Sequence, residues 1–64
     1  MQLTLKAARV NKGYTQAQAA DLLETTKDVV GNWERGRTYP DVIMLKKIER
    51  VYEVQYSDLI FAEK

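Results

Sequence analysis

The sequence contains no cysteine and no histidine among its 64 residues. Without cysteine the chain forms no disulfide, and without either residue it has none of the usual transition-metal ligands. The same absences remove a thiol nucleophile, an imidazole base and a Ser–His pair, and no glycine-rich phosphate loop is present. We therefore predict no enzymatic activity, no metal, no cofactor and no small-molecule ligand.

Long hydrophobic runs are also missing. No segment approaches the roughly 18–20 uncharged apolar residues of a membrane-spanning helix. The N-terminal sequence MQLTLKAARV has no signal-peptide core. We therefore expect a cytoplasmic protein without membrane association. The length predicts one domain, residues 1–64, with a small core and little room for a deep cleft.

Charge of either sign is nearly balanced, with a formal net charge of +1. Residues 1–40 carry six Lys and Arg against four Asp and Glu, whereas residues 41–64 carry four against five. This asymmetry is weak. Charge alone therefore does not predict a nucleic-acid partner.

What the chain does contain is a series of helix start and stop signals. Leu5, Ala8 and Arg9 share one face of a first helix, which ends before Gly13. Thr15 and Gln18 have the spacing of a capping box, in which each side chain bonds the other residue's backbone N–H. They predict the start of a second, alanine-rich helix.

Three more helices follow. Thr26 is a suitable N-cap for a third helix through Val30 and Trp33, ended by Gly36. Pro40 prevents continuation, and Asp41 caps a fourth helix with apolar residues at helical spacing. These are Val42, Leu45, Ile48 and Tyr52. A fifth helix is predicted from Ser57 to Phe61. The predicted fold is all-α, a compact bundle of five short helices.

The helix pair within residues 15–36 is the part that suggests a function. Two short helices joined by a tight turn cross steeply, so the second is pushed outward. Val30 and Trp33 should face the core, which leaves the other side of this helix free. Lys27, Asp28 and Asn32 there are suited to hydrogen bonding with base edges, and Val29 to contact with a thymine methyl.

From about Leu5 to Ile60 the sequence resembles the helix-turn-helix proteins of the Cro and phage-repressor type. Each matching residue is weak evidence alone, but together, in order and at family spacing, they are strong. They are Arg9, the run Gly13 to Gln16, Ala20, Leu23, Val30, the run Trp33 to Gly36, Pro40, Leu45, Ile48, Val54 and Leu59.

The resemblance implies a role for each matching position. Lys27, Asp28, Val29 and Asn32 occupy the positions that meet base edges in the major groove. The positions that contact the phosphate backbone are Gln16, Arg35, Arg37 and Thr38. Arg9 and Glu34 correspond to a largely buried ion pair between the first helix and the end of the third helix, the reading helix that would meet the bases.

Four departures from the family pattern matter. Glu24 stands in the turn where glycine is usual, so a non-glycine residue is expected in the left-handed conformation. Ala19 replaces the usual leucine of the second helix. Gly31 weakens the reading helix by about 1 kcal/mol relative to alanine. Asp28 is repelled by phosphates unless it accepts from a cytosine amino group or is offset by Lys27.

Simpler interpretations compete with these roles. Lys27, Asp28 and Asn32 also suit a merely polar helix face, and Arg35 and Arg37 suit ordinary surface arginines. Arg9 and Glu34 would then be unrelated surface charges. Three apolar residues outside the main stripe either complete the core or form a dimer patch. They are Met44, Tyr56 and Phe61.

The sequence thus predicts a sequence-specific regulator of transcription that binds double-stranded DNA. We expect a repressor that acts by occupying its operator as a homodimer, formed in solution or on DNA, with Tyr56 and Phe61 in the interface. The alternative is a protein-interaction module, an antirepressor or adaptor, which keeps the scaffold but no longer binds DNA. The near-neutral charge and Asp28 favour that alternative.

Overall fold

The computed structural model describes residues 2–61, which form four α-helices and one small sheet. The helices are α1 (Leu5–Asn11), α2 (Gln16–Leu22), α3 (Lys27–Glu34) and α4 (Val42–Tyr52). Two short strands, β1 (Leu3–Thr4) and β2 (Leu59–Ile60), come from opposite ends of the chain. A single 3₁₀ turn, Tyr56–Asp58, precedes β2.

Each α-helix begins with a side-chain cap. Thr15 and Gln18 form the predicted capping box at α2, with each side chain bonded to the other residue's backbone N–H. Thr26 Oγ1 accepts from the Val29 N–H at α3, and Asp41 accepts from the Met44 N–H at α4. Thr4 caps α1 in the same way. The predicted helix starts are confirmed because the signal for each lies within a few residues.

Left-handed residues terminate the helices or form the turns between them. Gly13 and Gly36 have φ angles of +79° and +76°, as their places after α1 and α3 predicted. Glu24, between α2 and α3, has φ +59°, which confirms the strained non-glycine residue expected there. Glu53 caps α4 with φ +54°, a second such residue that the sequence did not indicate.

The prediction of a fifth helix from Ser57 to Phe61 was wrong. This segment forms the 3₁₀ turn and then β2, which pairs in parallel with β1 so that Leu3 is opposite Leu59. Gln55, which precedes the turn, makes no side-chain cap. An isolated helix this short is unstable, whereas pairing with β1 satisfies backbone groups of both strands. The fold is therefore mostly helical with a small sheet, and not all-α.

The core lies where the four helices meet. Leu23, Val30 and Ile48 are its largest fully buried side chains. Trp33 is buried, as predicted, but Val42 is 69% exposed, so the apolar stripe of α4 begins further along the helix. The other buried apolar residues are Leu5, Ala8, Ala19, Ala20 and Tyr52. Within residues 2–61, no helix is long and apolar enough to cross a membrane.

Candidate nucleic-acid interface

Helix α3 is held between the core and solvent. Ala19 and Ala20 of α2 are both buried, and their small side chains let α3 approach α2 closely. Val30 and Trp33 attach the inner face of α3 to the core. The outer face carries Lys27, Asp28 and Asn32, and the side chain of Arg35, the C-cap residue, turns back onto it. Its position is therefore set by packing on the opposite side of the same helix.

A buried ion pair connects α1 to the end of α3. The Arg9 Nε lies 2.7 Å from Glu34 Oε2, and its Nη2 donates to Glu34 Oε1 at 3.2 Å. The two side chains are only 9% and 5% exposed. The hydrogen bond to Glu34 raises the pKa of Arg9 further above its ordinary value. Arg9 Nη1 also donates to the Tyr14 carbonyl at 2.8 Å, so the guanidinium joins three segments.

Gln16, the predicted phosphate contact at the start of α2, joins this network. Its Nε2 donates to Glu34 Oε1 at 3.0 Å, and the residue is half-buried. This bond orients the Gln16 amide. It uses one N–H and leaves the carbonyl oxygen and the second N–H out of the contact with Glu34. The structure brings Gln16 together with Arg9 and Glu34, a contact that the sequence pattern did not predict.

The predicted base-contacting residues differ in accessibility. Lys27 and Asp28, in the first turn of α3, are exposed. The negative charge of Asp28 interacts favourably with the helix dipole there. Asn32, one turn later, is half-buried. Val29 is also half-buried and packs against the core, so only part of its side chain is available for a ligand.

Asn32 and Arg35 are directly bonded. Arg35 Nη2 donates to Asn32 Oδ1 at 2.9 Å. The guanidinium is folded back over Gly31, where an added Cβ would lie 3.3 Å from Nη1. Arg35 is the C-cap residue directly after α3, and its side chain turns back onto the outer face of the helix.

Arg37 and Thr38 do lie in the loop that follows α3, and both are exposed. The loop is anchored at its start because the Arg37 N–H donates to the Asn32 carbonyl at 3.0 Å. Their side chains therefore extend from a fixed backbone beside the end of α3.

Comparison with known proteins agrees with this geometry, because residues 5–59 match the model of the helix-turn-helix family. The chain belongs to this family. The match covers all four helices and confirms the resemblance found in the sequence.

Three relatives carry helix-turn-helix names. The chain is 32% identical over 60 residues to the transcriptional activator BcrR of Enterococcus faecalis, covering 94% of this chain and 29% of that protein. It is 36% identical to the SPbeta prophage-derived uncharacterized regulator YonR and 38% identical to the transcriptional regulator ImmR, both of Bacillus subtilis. Each of these matches spans 88% of this chain, but 52% of YonR and 44% of ImmR. The chain therefore spans about a third to a half of these relatives.

The helix-turn-helix domain also has a partly exposed apolar surface formed by residues outside α3. Tyr39, Tyr56 and Phe61 lie together, with the Phe61 ring centroid 6.2 Å from that of Tyr39 and 6.1 Å from that of Tyr56. With Pro40 and Leu45 they line a shallow cleft of about 220 Å³, and we call these five residues the apolar patch. Met44 and Phe61 pack partly against the core, whereas Tyr56 is 55% exposed.

Two features of the domain had not been inferred from the sequence. The Asn32–Arg35 bond joins residues three positions apart, a spacing at which helical side chains commonly meet, so that spacing was an available signal. Tyr39 had no such signal, because its contact with Phe61 depends on how the loop and the C-terminal segment pack.

Proposed function

We propose that this chain binds double-stranded DNA in a sequence-specific manner and regulates transcription. The observation that carries the proposal is the outer face of α3, which presents polar side chains while its inner face is locked into the core. A rigid helix of this kind fits the major groove, where base edges offer hydrogen-bonding groups. Family membership supports the same conclusion.

Lys27, Asp28, Val29 and Asn32 are the proposed base contacts. Lys27 and Asn32 supply donors, Asp28 is suited to a cytosine amino group, and the accessible part of Val29 to a thymine methyl. Asp28 next to Lys27 leaves the first turn without net charge. This arrangement limits the repulsion between Asp28 and nearby phosphates.

Gln16, Arg37 and Thr38 are the proposed phosphate contacts on either side of the reading helix. Gln16 is oriented by Glu34, and Arg37 extends from the anchored loop. Arg35 adds positive charge between the loop and the base contacts. Phosphate contacts fix the orientation of a protein on DNA but carry no sequence information themselves.

We propose that the chain binds its operator as a homodimer, and the size of the domain supports this proposal. The longest extent of the domain is 25 Å, whereas successive half-sites on one face of DNA lie roughly 34 Å apart. One copy therefore reads one half-site. We assign the contact between copies, with Tyr56 and Phe61, to the apolar patch, because Tyr39 and Tyr56 are 50% and 55% exposed there. The dimer forms in solution or on the operator.

The proposed mode of regulation is repression by occupancy of an operator that overlaps the promoter. One relative is named an activator and two are named regulators, so the direction of control needs a direct test. A reporter gene behind the selected operator should be expressed less when this chain is present. An increase in expression would contradict repression but not DNA binding.

Selection of bound duplexes from a random library at physiological salt tests the DNA-binding proposal. We expect a palindromic consensus and an affinity that falls with salt, with a slope of about −0.9 per phosphate contact. Arg37→Ala should weaken binding to every sequence and flatten the slope by about 1. The matched control is Arg50→Ala, which removes an exposed arginine of α4 and should leave both unchanged.

A folded protein that enriches no sequence and shows no salt-dependent binding would contradict the proposal. That result would favour the protein-interaction module, consistent with the net charge of only +1 and with the exposed Asp28.

A further inference from the structure

The end of α3 carries a bonded pair of side chains that differs from the other polar groups on its outer face. Arg35 caps the helix, yet its side chain turns back along it, and Nη2 donates to Asn32 Oδ1 at 2.9 Å. Three nearby atoms of the guanidinium lie 3.3–3.7 Å from the position that a Cβ on residue 31 would occupy. Gly31 therefore leaves the space in which the guanidinium rests.

This bond determines which hydrogen-bonding groups the pair offers to a ligand. Asparagine pairs with adenine through one acceptor and one donor, its Oδ1 and Nδ2. Here Oδ1 already accepts from Arg35, and the guanidinium that donates to it lies alongside. One lone pair of Oδ1 is left, and it is outnumbered by donors, which are the Nδ2 hydrogens of Asn32 and the other N–H groups of Arg35.

A surface of donors matches one base edge better than the others. Guanine presents two acceptors in the major groove, N7 and O6, and an arginine fork can bond both. Adenine and cytosine each present an amino group, which would face the donors of the pair and remain without a partner. Thymine presents a single acceptor beside a methyl group.

We infer that Asn32 and Arg35 act as one unit that reads a guanine, with Arg35 contacting N7 and O6 and Asn32 holding the guanidinium in position. The inference rests on the proposed DNA binding and extends it to a specific base. It also changes the role of Arg35 from a backbone contact to a determinant of sequence preference, with Gly31 leaving room for the guanidinium.

The test uses the duplex that wild-type protein selects from a random library, and variants of it with each base pair replaced. Arg35→Lys keeps the positive charge but loses the fork. It should reduce the preference for guanine at one position of the half-site by about 10-fold or more, while the salt slope stays the same. A phosphate contact predicts the opposite, since Lys would preserve the base preference.

Gly31→Ala separates this effect from folding. The added methyl group would lie 3.3 Å from Nη1, so the guanidinium must shift by a few tenths of an ångström, and guanine preference should fall at the same position. Alanine also favours the helix, so the melting temperature should stay equal or rise. Loss of specificity without loss of stability is the expected signature. Unchanged preference in this variant would contradict the role assigned to Gly31 and to the folded-back arginine.

A double-mutant cycle tests whether the two residues act together. Asn32→Ala and Arg35→Ala should each lose preference at the same base pair, and the double variant should lose little more than either. Effects at two different base pairs, or losses that simply add, would overturn the shared unit.

The outcome for the wild-type protein distinguishes the two proposals. A consensus without guanine at any contacted position overturns only the guanine reading. A folded wild-type protein that selects no consensus overturns DNA binding and the guanine reading with it.

Discussion

Arg9 and Glu34 show what a single residue pair contributes to this domain. Their charges are almost fully removed from water, and bonds between them and to Gln16 and Tyr14 replace the lost hydration. Such a pair adds little net stability compared with apolar residues of the same volume, but breaking it leaves one charge buried alone. Its main structural effect is to fix the end of α3 relative to α1.

Arg9→Ala should lower the free energy of unfolding by about 3–5 kcal/mol, because Glu34 is left buried without its partner. A chain of 64 residues has a total stability of only about 3–10 kcal/mol, so the loss is large. Urea denaturation followed by tryptophan fluorescence measures it, since Trp33 is the only tryptophan. Lys6→Ala, at an exposed residue of α1, is the control. A loss below about 1 kcal/mol would show that the pair is effectively solvated.

Tyr52 predicts how stability depends on alkaline pH. Burial, aided by the nearby Glu34 carboxylate, raises the pKa of Tyr52 to about 12, while Arg9 opposes this shift. The ordinary tyrosine pKa is about 10, so the folded state holds the phenol proton more tightly than the unfolded state does. This contribution is complete below about pH 10 and is lost as the pH rises through about 12.

Between these two pH values, Tyr52 should reduce the free energy of unfolding by about 2–3 kcal/mol. The measurement is urea denaturation at several pH values between about 9 and 12. Tyr52→Phe removes the ionisable group and should show a shallower decrease, whatever the other tyrosines and lysines contribute. Identical pH profiles for the two proteins would contradict the assignment.

At the scale of elements, the turn between α2 and α3 contains a strained backbone that lowers the stability of the fold. Glu24 takes φ +59° there, a conformation that costs a non-glycine residue roughly 1–2 kcal/mol. Its carboxylate accepts from Lys47 Nζ at 3.3 Å, but the glutamate side chain is 77% exposed, so the pair contributes little. The turn between α2 and α3 therefore forms despite the backbone strain at Glu24.

Glu24→Gly should raise the free energy of unfolding by about 0.5–1 kcal/mol, since glycine adopts the left-handed conformation without a Cβ penalty. Thermal and urea denaturation measure the change. Glu24→Ala is the matched control, because it removes the contact with Lys47 but keeps the strain, and it should not stabilise the protein. Stabilisation by both variants would point to the charge of Glu24, and not to its backbone, as the cause.

The C-terminal segment shows how an element can depend on a distant partner. Leu59 and Ile60 have no periodicity long enough to distinguish a strand from a helix. Their conformation is decided by Leu3 and Thr4, which supply a backbone to pair with. The same segment brings Phe61 against Tyr39 and so completes the apolar patch.

At the scale of the whole molecule, the proposed dimer relates the apolar patch to DNA recognition. Tyr56→Glu places a charge on the patch and should abolish cooperative binding to a duplex with two half-sites. Binding to a single half-site should be retained, because α3 is unchanged. Sedimentation and titration of both duplexes measure these effects.

Val10→Glu is the matched control for the dimer prediction, since Val10 is equally exposed, at 55%, but lies on α1 outside the apolar patch. It should bind both duplexes as the wild-type protein does. Equal effects of the two substitutions would mean that the patch is not the interface.

The sequence by itself determined the features whose causes are local. The capping box of Thr15 and Gln18, the left-handed Gly13 and the strained Glu24 follow from interactions within a few residues, and the buried Trp33 follows from helical periodicity. The order of these signals also identified the helix-turn-helix family.

Tertiary structure alone decided the features that join distant segments or depend on side-chain direction. The parallel pairing of β1 with β2, the exposure of Val42 and the contact between Tyr39 and Phe61 arise from how complete elements pack together. Arg35 folds back onto Asn32 over Gly31, where a Cβ would lie 3.3 Å from the guanidinium. Local patterns specify where a helix begins and ends, but packing specifies which of its side chains meet.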